Sequence, residues 1–482
     1  MPQAIFIFIL FFFLNANSHA KEYIWLIGGG PKLENSQAQI ELNTRWVQQI
    51  ISKYKPDAKT KVFFTDGNDP DSDVRLQINN KDSAENLAPL ARIFNAQLDN
   101  KIRYYNHRVT NVYGTTDVNF LQAELTTDFK KLKADDEVLM IFQGHGGLNK
   151  YDTLQNSLKL WNNTHLSVIQ LEEMLQKLNT GVSVRYIFPQ CFSGAFKNLI
   201  YPRANNKLSP AAYTRCGFMA EDAYEQSEGC TTSINENDYR DYSSYFFAAL
   251  DGKTRTGKSL SRNPDRNNDN KISLTEAHFY SLSQAISTDI PRSTSESYLI
   301  NWSPWYLHWI KNHKVANNIY SKLAEEVAQN NQLKLNLDGQ ITDVKNLFKT
   351  LYKQKKHLAQ QKSELKQKIS SLQEQLSQQV SKKWPYLLSP NTKKYLQLLN
   401  TQLTDIQRFI IKQNNYTKLV KAQNQENIVT KQSLQLKRKI TQVQKINHLN
   451  RLANTLEYFN QHADILEKQS YLKLVKCESK PF

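Results

Sequence analysis

Two short stretches carry the residue types that acyl-transfer chemistry needs. "SVRYIFPQCFSGAF" (183–196) runs from β-branched and apolar residues into Pro189-Gln190-Cys191, then at once into Phe192-Ser193-Gly194. Forty-six residues upstream, "EVLMIFQGHGG" (137–147) is a second apolar run, ending in Gly144-His145-Gly146-Gly147. A thiolate is the reactive form of cysteine, and an imidazole within reach can take the thiol proton or stabilise the thiolate. A glycine after the histidine leaves its backbone N–H open to a ligand, so the amides of Gly146 and Cys191 are candidates to hold an oxyanion. Cys191 as nucleophile, His145 as acid and base, and Gly146 with Cys191 as oxyanion hole form the candidate constellation.

That constellation exists only if the chain brings the two stretches together. Near-continuous apolar runs at 22–30, 61–67, 102–106, 137–144 and 183–190 read as strands, and such runs are typical of buried parallel strands. Amphipathic patterns at 38–54, 118–132 and 166–178 read as helices between them. Strand and helix alternate, so the N-terminal part is expected to be α/β with a mostly parallel sheet. Consecutive parallel strands tend to be neighbours, and their carboxyl ends line the crevice where such folds bind ligands. "GGGP" (28–31) lacks the spacing of a dinucleotide fingerprint and the following Lys-Ser/Thr of a P-loop, so it reads as a tight turn.

With those residues in view the sequence resembles the caspase-like peptidases, the group of caspases, metacaspases and legumain-type enzymes. Gln190-Cys191 is similar to the caspase Gln before the nucleophile, Ser193-Gly194 to the metacaspase Cys-x-Ser-Gly, and "GHGG" to the legumain-type form. "FFTDGNDP" (63–70), "NSLKLWNNTHLSVIQLEEML" (156–175) and "CGFMAEDAYEQSEGC" (216–230) add to the likeness, which covers roughly residues 22–300 and is nearest to bacterial legumain-like or caspase-like proteins. The resemblance implies a caspase-like three-layer domain and cysteine endopeptidase activity through a His145–Cys191 dyad and a thioester. A transamidase or peptide ligase would use the same acyl-enzyme. The reading from another class is a catalytically silent scaffold with a helical binding domain. Legumains bind asparagine with an arginine shortly after the first strand, and residues 32–41 hold none.

Two further features precede the helical tail. In "DRNNDNKISLTE" (265–276), Asp265, Asn267, Asp269, the Lys271 carbonyl, Ser273 and Glu276 occupy positions 1, 3, 5, 7, 9 and 12 of a calcium loop, with Asn270 where glycine is usual. Ser273 and Glu276 also form a capping box for a helix beginning at 274, and both readings can hold at once. The four cysteines allow three complete pairings. Cys216 and Cys230 bracket a short polar segment and are expected to pair, leaving Cys191 free.

Residues 4–14 are an apolar run of signal-peptide length, followed by Ser18-His19-Ala20 as a cleavage site. The protein is therefore expected to be exported, periplasmic or extracellular if bacterial, with no transmembrane span after cleavage. The net charge of +17 is unevenly placed: residues 311–482 hold 30 Lys or Arg against 12 Asp or Glu, and the remainder is near neutral. In that tail Leu351, Leu358, Leu365 and Leu372 recur every seven residues. Leu396, Leu399, Leu403, Ile406 and Ile410 follow in steps of three and four, and prolines in 382–394 break the run so that helices double back. The expected organisation is a signal peptide (1–20), a caspase- or legumain-like domain (21–312) and a basic helical bundle or coiled coil (313–482). The basic surface suits an anionic envelope or polyanion, and no groove-reading motif points to specific nucleic-acid binding. Protein or peptide is the expected substrate, and the dyad chemistry itself calls for no cofactor.

Overall fold

The computed structural model describes residues 20–77, 88–94, 102–178, 181–229, 235–308, 314–390 and 392–482. The expected signal segment and Cys230 lie outside them. The sheet is built from runs in which almost every residue is buried, because helices cover both of its faces. Strands β1 (Glu22–Gly29), β2 (Lys59–Phe64), β5 (Val112–Gly114), β6 (Glu137–Gly147), β9 (Ser183–Phe188) and β10 (Arg215–Met219) pair in parallel, and β11 (Arg292–Ser293) joins antiparallel at the edge. The spatial order is β11-β10-β9-β6-β1-β2-β5. β6 lies between β1 and β9, with Gly29 opposite Gly144 on one side and Ile141 opposite Ile187 on the other. Beyond the sheet edge β6 continues into an antiparallel extension with β7 (Ser157–Leu160) and β8 (Thr164–Ser167).

Alternate residues of the strands feed two cores. Trp25, Ile27, Met140, Phe142, Tyr186 and Phe188 face α3 (Val118–Phe129) and α4 (Val168–Leu175). Ile24, Leu26, Leu139, Ile141 and Ile187 face α1 (Ala38–Tyr54), α5 (Tyr242–Asp251) and α6 (Leu274–Gln284). This is an α/β domain with a mixed, mostly parallel sheet. The run at 102–106 departs from expectation: β4 (Ile102–Tyr105) pairs antiparallel with β3 (Val74–Gln77) in a separate ribbon, where half of its residues stay exposed. Helix α2 (Ala88–Phe94) belongs to the same excursion.

After α7 (Thr294–Trp302) the chain becomes helical: α8 (Ile319–Asn330), α9 (Val344–Lys383), α10 (Lys393–Ile411), α11 (Asn414–His462) and α12 (Ile465–Glu478). α9 and α11 run antiparallel. Leu351 and Ile440 share one core, while the Asn415 amide reaches Gln375 near the far end. The break at 382–394 is a 3-10 turn, Pro385–Leu388. In α10 the buried residues are Tyr395, Leu398, Ile406 and Ile410, whereas Leu396 is exposed, so the seam begins one position earlier than the leucine spacing suggested. The root of the helical region is not separable from the sheet. Leu323, Val327, Val443, Leu449 and Leu474 form one core with Ile200, Cys216 and Leu282.

The cysteine expectation needs correcting. Cys216 is bonded to Cys477, not to Cys230. Cys216 lies wholly buried on β10, the strand hidden in what read as a polar loop, and its side chain meets α12 with the two Cα atoms 6.1 Å apart. That spacing suits a disulfide, and Cys191 keeps a free thiol.

Candidate active site

β6 carries His145 past its last parallel partner, so the imidazole stands at the carboxyl edge of the sheet. Its Nε2 lies 2.8 Å from the Asn35 carbonyl oxygen and 2.8 Å from Gln37 Oε1. Both are acceptors, so Nε2 must carry the hydrogen and Nδ1 keeps the free lone pair. Burial, and secondarily the Lys159 charge, pull the imidazole below its usual range against the opposing pull of Asn35, which makes it a neutral base at neutral pH. Asn35 and Gln37 were not singled out from sequence. The signal was present in the "GGGP" turn, because β1 is adjacent to β6 and whatever follows β1 lands beside His145.

Cys191 follows β9 after two residues, and the chain turns sharply there. Phe192 adopts a left-handed backbone (φ 61°) and its N–H donates to the Glu225 carbonyl at 2.8 Å. The helical turn Ser193–Ile200 begins immediately. The two strand ends adjoin closely: a Cβ on Gly146 would lie 1.8 Å from the Cys191 carbonyl oxygen. Only glycine fits there, which is the physical reason for glycine after His145. Gly194 is required likewise, since its Cβ would lie 2.6 Å from the Glu221 carbonyl. The sulfur of Cys191 is 3.8 Å from the Ser227 carbonyl oxygen and 3.7 Å from Ser227 Oγ. Burial pushes the thiol up, Ser227 and the residue's own main chain oppose this, and the Asp289 charge adds to the rise. At rest, thiol and imidazole are thus both held toward their neutral forms. An open cleft of about 550 Å³ is lined by His145, Gly146, Asn35, Lys159, Asn149 and His165 among others.

The acidic loop turns tightly on its own backbone. Asn268 and Asn270 are left-handed (φ 60° and 62°), and the Asp265 carboxylate accepts from the amides of Asn268 and Asn270 at 2.7 and 3.0 Å. Asp269 accepts from the Lys271 N–H at 2.8 Å and from the Asn267 side chain at 3.0 Å. The Ser273–Glu276 capping box is formed in both directions at the start of α6. A second cluster escaped the sequence reading: ligand atoms of Asp66, Asp73 and His107 lie within 4.8 Å of one another near the carboxyl end of β2, a grouping able to hold a metal ion. Asp66 is pushed up to about 7 by burial and by the Asp73 charge. The acid-rich "TDGNDPDSD" (65–73) was the available signal.

Fold and site together define the class, an α/β domain with a mixed, mostly parallel sheet, followed by a helical region built on two long helices. No protein-family model and no curated protein matches the chain. Among solved structures it is similar to the protein GSU0716 of Geobacter sulfurreducens, a structural-genomics target, at 11% identity, covering 57% of this chain and 92% of that one with a TM-score of 0.34. That is a distant structural similarity and assigns no family.

Proposed function

We propose that the protein is an exported cysteine endopeptidase acting through His145 and Cys191. The observation that carries this reading is the contact of Gly146 with the Cys191 carbonyl at the carboxyl ends of adjacent parallel strands. In the proposed reaction Cys191 Sγ attacks a peptide carbonyl carbon while Nδ1 of His145 takes the thiol proton. The carbonyl oxygen becomes an oxyanion facing the N–H groups of Gly146 and Cys191. The C–N bond then breaks, His145 returns its proton to the leaving amine, and a thioester remains. Water, deprotonated by His145, attacks that thioester. The new acid departs, and the proton on His145 goes back to sulfur. An amine in place of water would make the same intermediate a ligase or transamidase step.

The disulfide Cys216–Cys477 supports export to an oxidising compartment. Among the described residues no helix is long and apolar enough to cross a membrane. The loop at 265–276 is proposed to bind calcium alongside its capping role. One observation favours the silent-scaffold reading, the engagement of the thiol by Ser227. The test is cleavage of a denatured peptide library by mature protein, read by mass spectrometry, with calcium, with chelator and beside Cys191→Ala. Cuts that vanish in Cys191→Ala support the peptidase. Folded protein that cuts nothing under any condition would give the scaffold reading the lead.

A further inference from the structure

The thiol that this function requires is partly buried against Ser227, and the segment that carries Ser227 is fastened from outside the sheet domain. Ser227 places both its carbonyl and its hydroxyl on Cys191 Sγ. The next residue, Glu228, is held on three sides. Its N–H donates to Asp289 Oδ1 at 2.6 Å, its Oε2 accepts from the Thr288 N–H at 2.9 Å, and its carboxylate receives the guanidinium of Arg438 on α11, with Nε 3.1 and 3.2 Å from the two oxygens. Arg438 is one of a row. Residues 438, 442 and 445 fall at i, i+4 and i+7, the spacing of one helix face. Gln442 donates to the Ser287 carbonyl at 3.2 Å, and Lys445, fully buried, donates to the Ala285 carbonyl at 3.0 Å. Three polar side chains of α11 therefore grip 285–287 and Glu228, two segments joined where the Glu228 N–H meets Asp289.

Resting on the peptidase reading for its functional meaning, we propose that α11 latches the segment Glu225–Gly229 over Cys191, so that the Arg438–Glu228 ion pair sets the accessibility of the nucleophile. The regulatory input is then a change at the helical region, with no bond in the chain needing to be cut. The pair is partly buried and multiply hydrogen-bonded, with side chains 21% and 14% exposed, so its loss is felt far more than that of a surface ion pair. Near it Asp289 and Glu221 are acids pushed up by burial, and the buried Lys445, lowered by its own burial, is raised in turn by the charges of both. The latch thus sits in an interface where α11 meets the sheet domain through one ion pair and two side-chain hydrogen bonds to backbone carbonyls.

The measurement is the rate at which iodoacetamide labels Cys191 in the full-length mature protein, followed by mass spectrometry of the Cys191 peptide. Alkylation needs no turnover, so this readout stands apart from the peptidase reading. Arg438→Ala is expected to raise the rate about tenfold, the scale of losing one charge-assisted, partly buried hydrogen-bonded pair. Lys431→Ala removes the same charge from an exposed position on the same helix and is expected to leave the rate unchanged. Should Arg438→Ala fail to fold, Glu228→Gln removes the charge from the other partner and is read in the same way. Adding Arg438→Ala to Glu228→Gln is expected to give no further increase. A rate within twofold of wild type in folded Arg438→Ala overturns the latch, even where the peptide library is cut. A raised rate in a protein that cuts nothing supports the latch and counts against the peptidase.

Discussion

Gly146→Ala tests the adjacency of the two strand ends, because it probes a close backbone contact between the two halves of the proposed dyad. The added Cβ would lie 1.8 Å from the Cys191 carbonyl oxygen and 2.8 Å from its carbonyl carbon. Van der Waals contact begins near 3.0 Å or beyond, so β6 and the Cys191 turn must part by at least about 1.2 Å. The obstructing atoms belong to backbone, and no change of rotamer relieves them. Overpacking of this kind costs about 1–3 kcal/mol of stability. A displacement of about 1 Å in a catalytic group costs roughly a hundredfold in rate. Gly147→Ala is the matched control: its Cβ meets Ser157 Oγ at 2.6 Å and Lys159 Cε at 3.4 Å, both on side chains that can move. The assay pairs kcat/KM on a cleaved peptide with a denaturation midpoint and the alkylation rate of Cys191. Gly146→Ala is expected to lose activity about a hundredfold with a measurable loss of stability, while Gly147→Ala stays within a few-fold. Equal behaviour of the two variants on all three readouts would refute the claim that the strand ends adjoin.

Replacing Cys216 and Cys477 together by alanine opens a loop of 261 residues, for which chain entropy gives a loss of about 5.6 kcal/mol; reductant should lower the wild-type denaturation midpoint and leave the double variant's unchanged. Because His145 is held below its usual range, the unfolded imidazole takes up a proton before the folded one does as pH falls. Its contribution to stability should therefore decline below about pH 6.5, and His145→Gln should flatten that part of a stability–pH curve. Proteolysis should persist into mildly acidic buffer and fall off only below the lowered pKa. At 265–276, saturating calcium should raise the melting temperature and Asp265→Ala should abolish the rise. Absence of any calcium response, with Ser273→Ala costing about 1 kcal/mol, would leave only the cap.

What sequence made legible followed from periodicity. Helix α1 spans 38–54 as its pattern implied, and β1, β6 and β9 are near-continuous buried runs. β6 lies beside β9, the next run in the chain, as consecutive order implied, whereas the seat of β6 beside β1 was not announced by chain order. Asn270 takes the left-handed backbone its loop position demanded. The failures share a cause, namely partners distant in sequence. The bond of Cys216 depends on α12, 261 residues away, and β10 escaped notice because its five residues, one an arginine and one a glycine, carry no clean alternation. Arg215 is buried with its guanidinium on Glu172 at 2.9 Å and on the Leu199 carbonyl at 3.0 Å, pairings that no local pattern announces. Ser227 reaches Cys191 through a loop whose path is set by Asp289 and Arg438 rather than by its own composition.

Helix α2 gives the helical region a second point of attachment. Its Leu90 and Ile93 share a core with Leu372, Leu376 and Leu419, the Arg92 guanidinium donates to Gln423 at 2.7 Å, and the Arg92 carbonyl accepts from Gln373 at 2.7 Å. The pair α9–α11 is therefore pinned at its root by the core around Val443 and near its far end by a finger of the sheet domain. A rod pinned twice cannot sweep. The helix that carries ten lysines against two glutamates, α9, therefore keeps a fixed bearing on the sheet domain. A flexible tether offers a bound partner at an effective concentration averaged over many orientations. A pinned rod would offer it in one orientation, so anything bound along those ammonium groups would keep a constant bearing on the sheet domain.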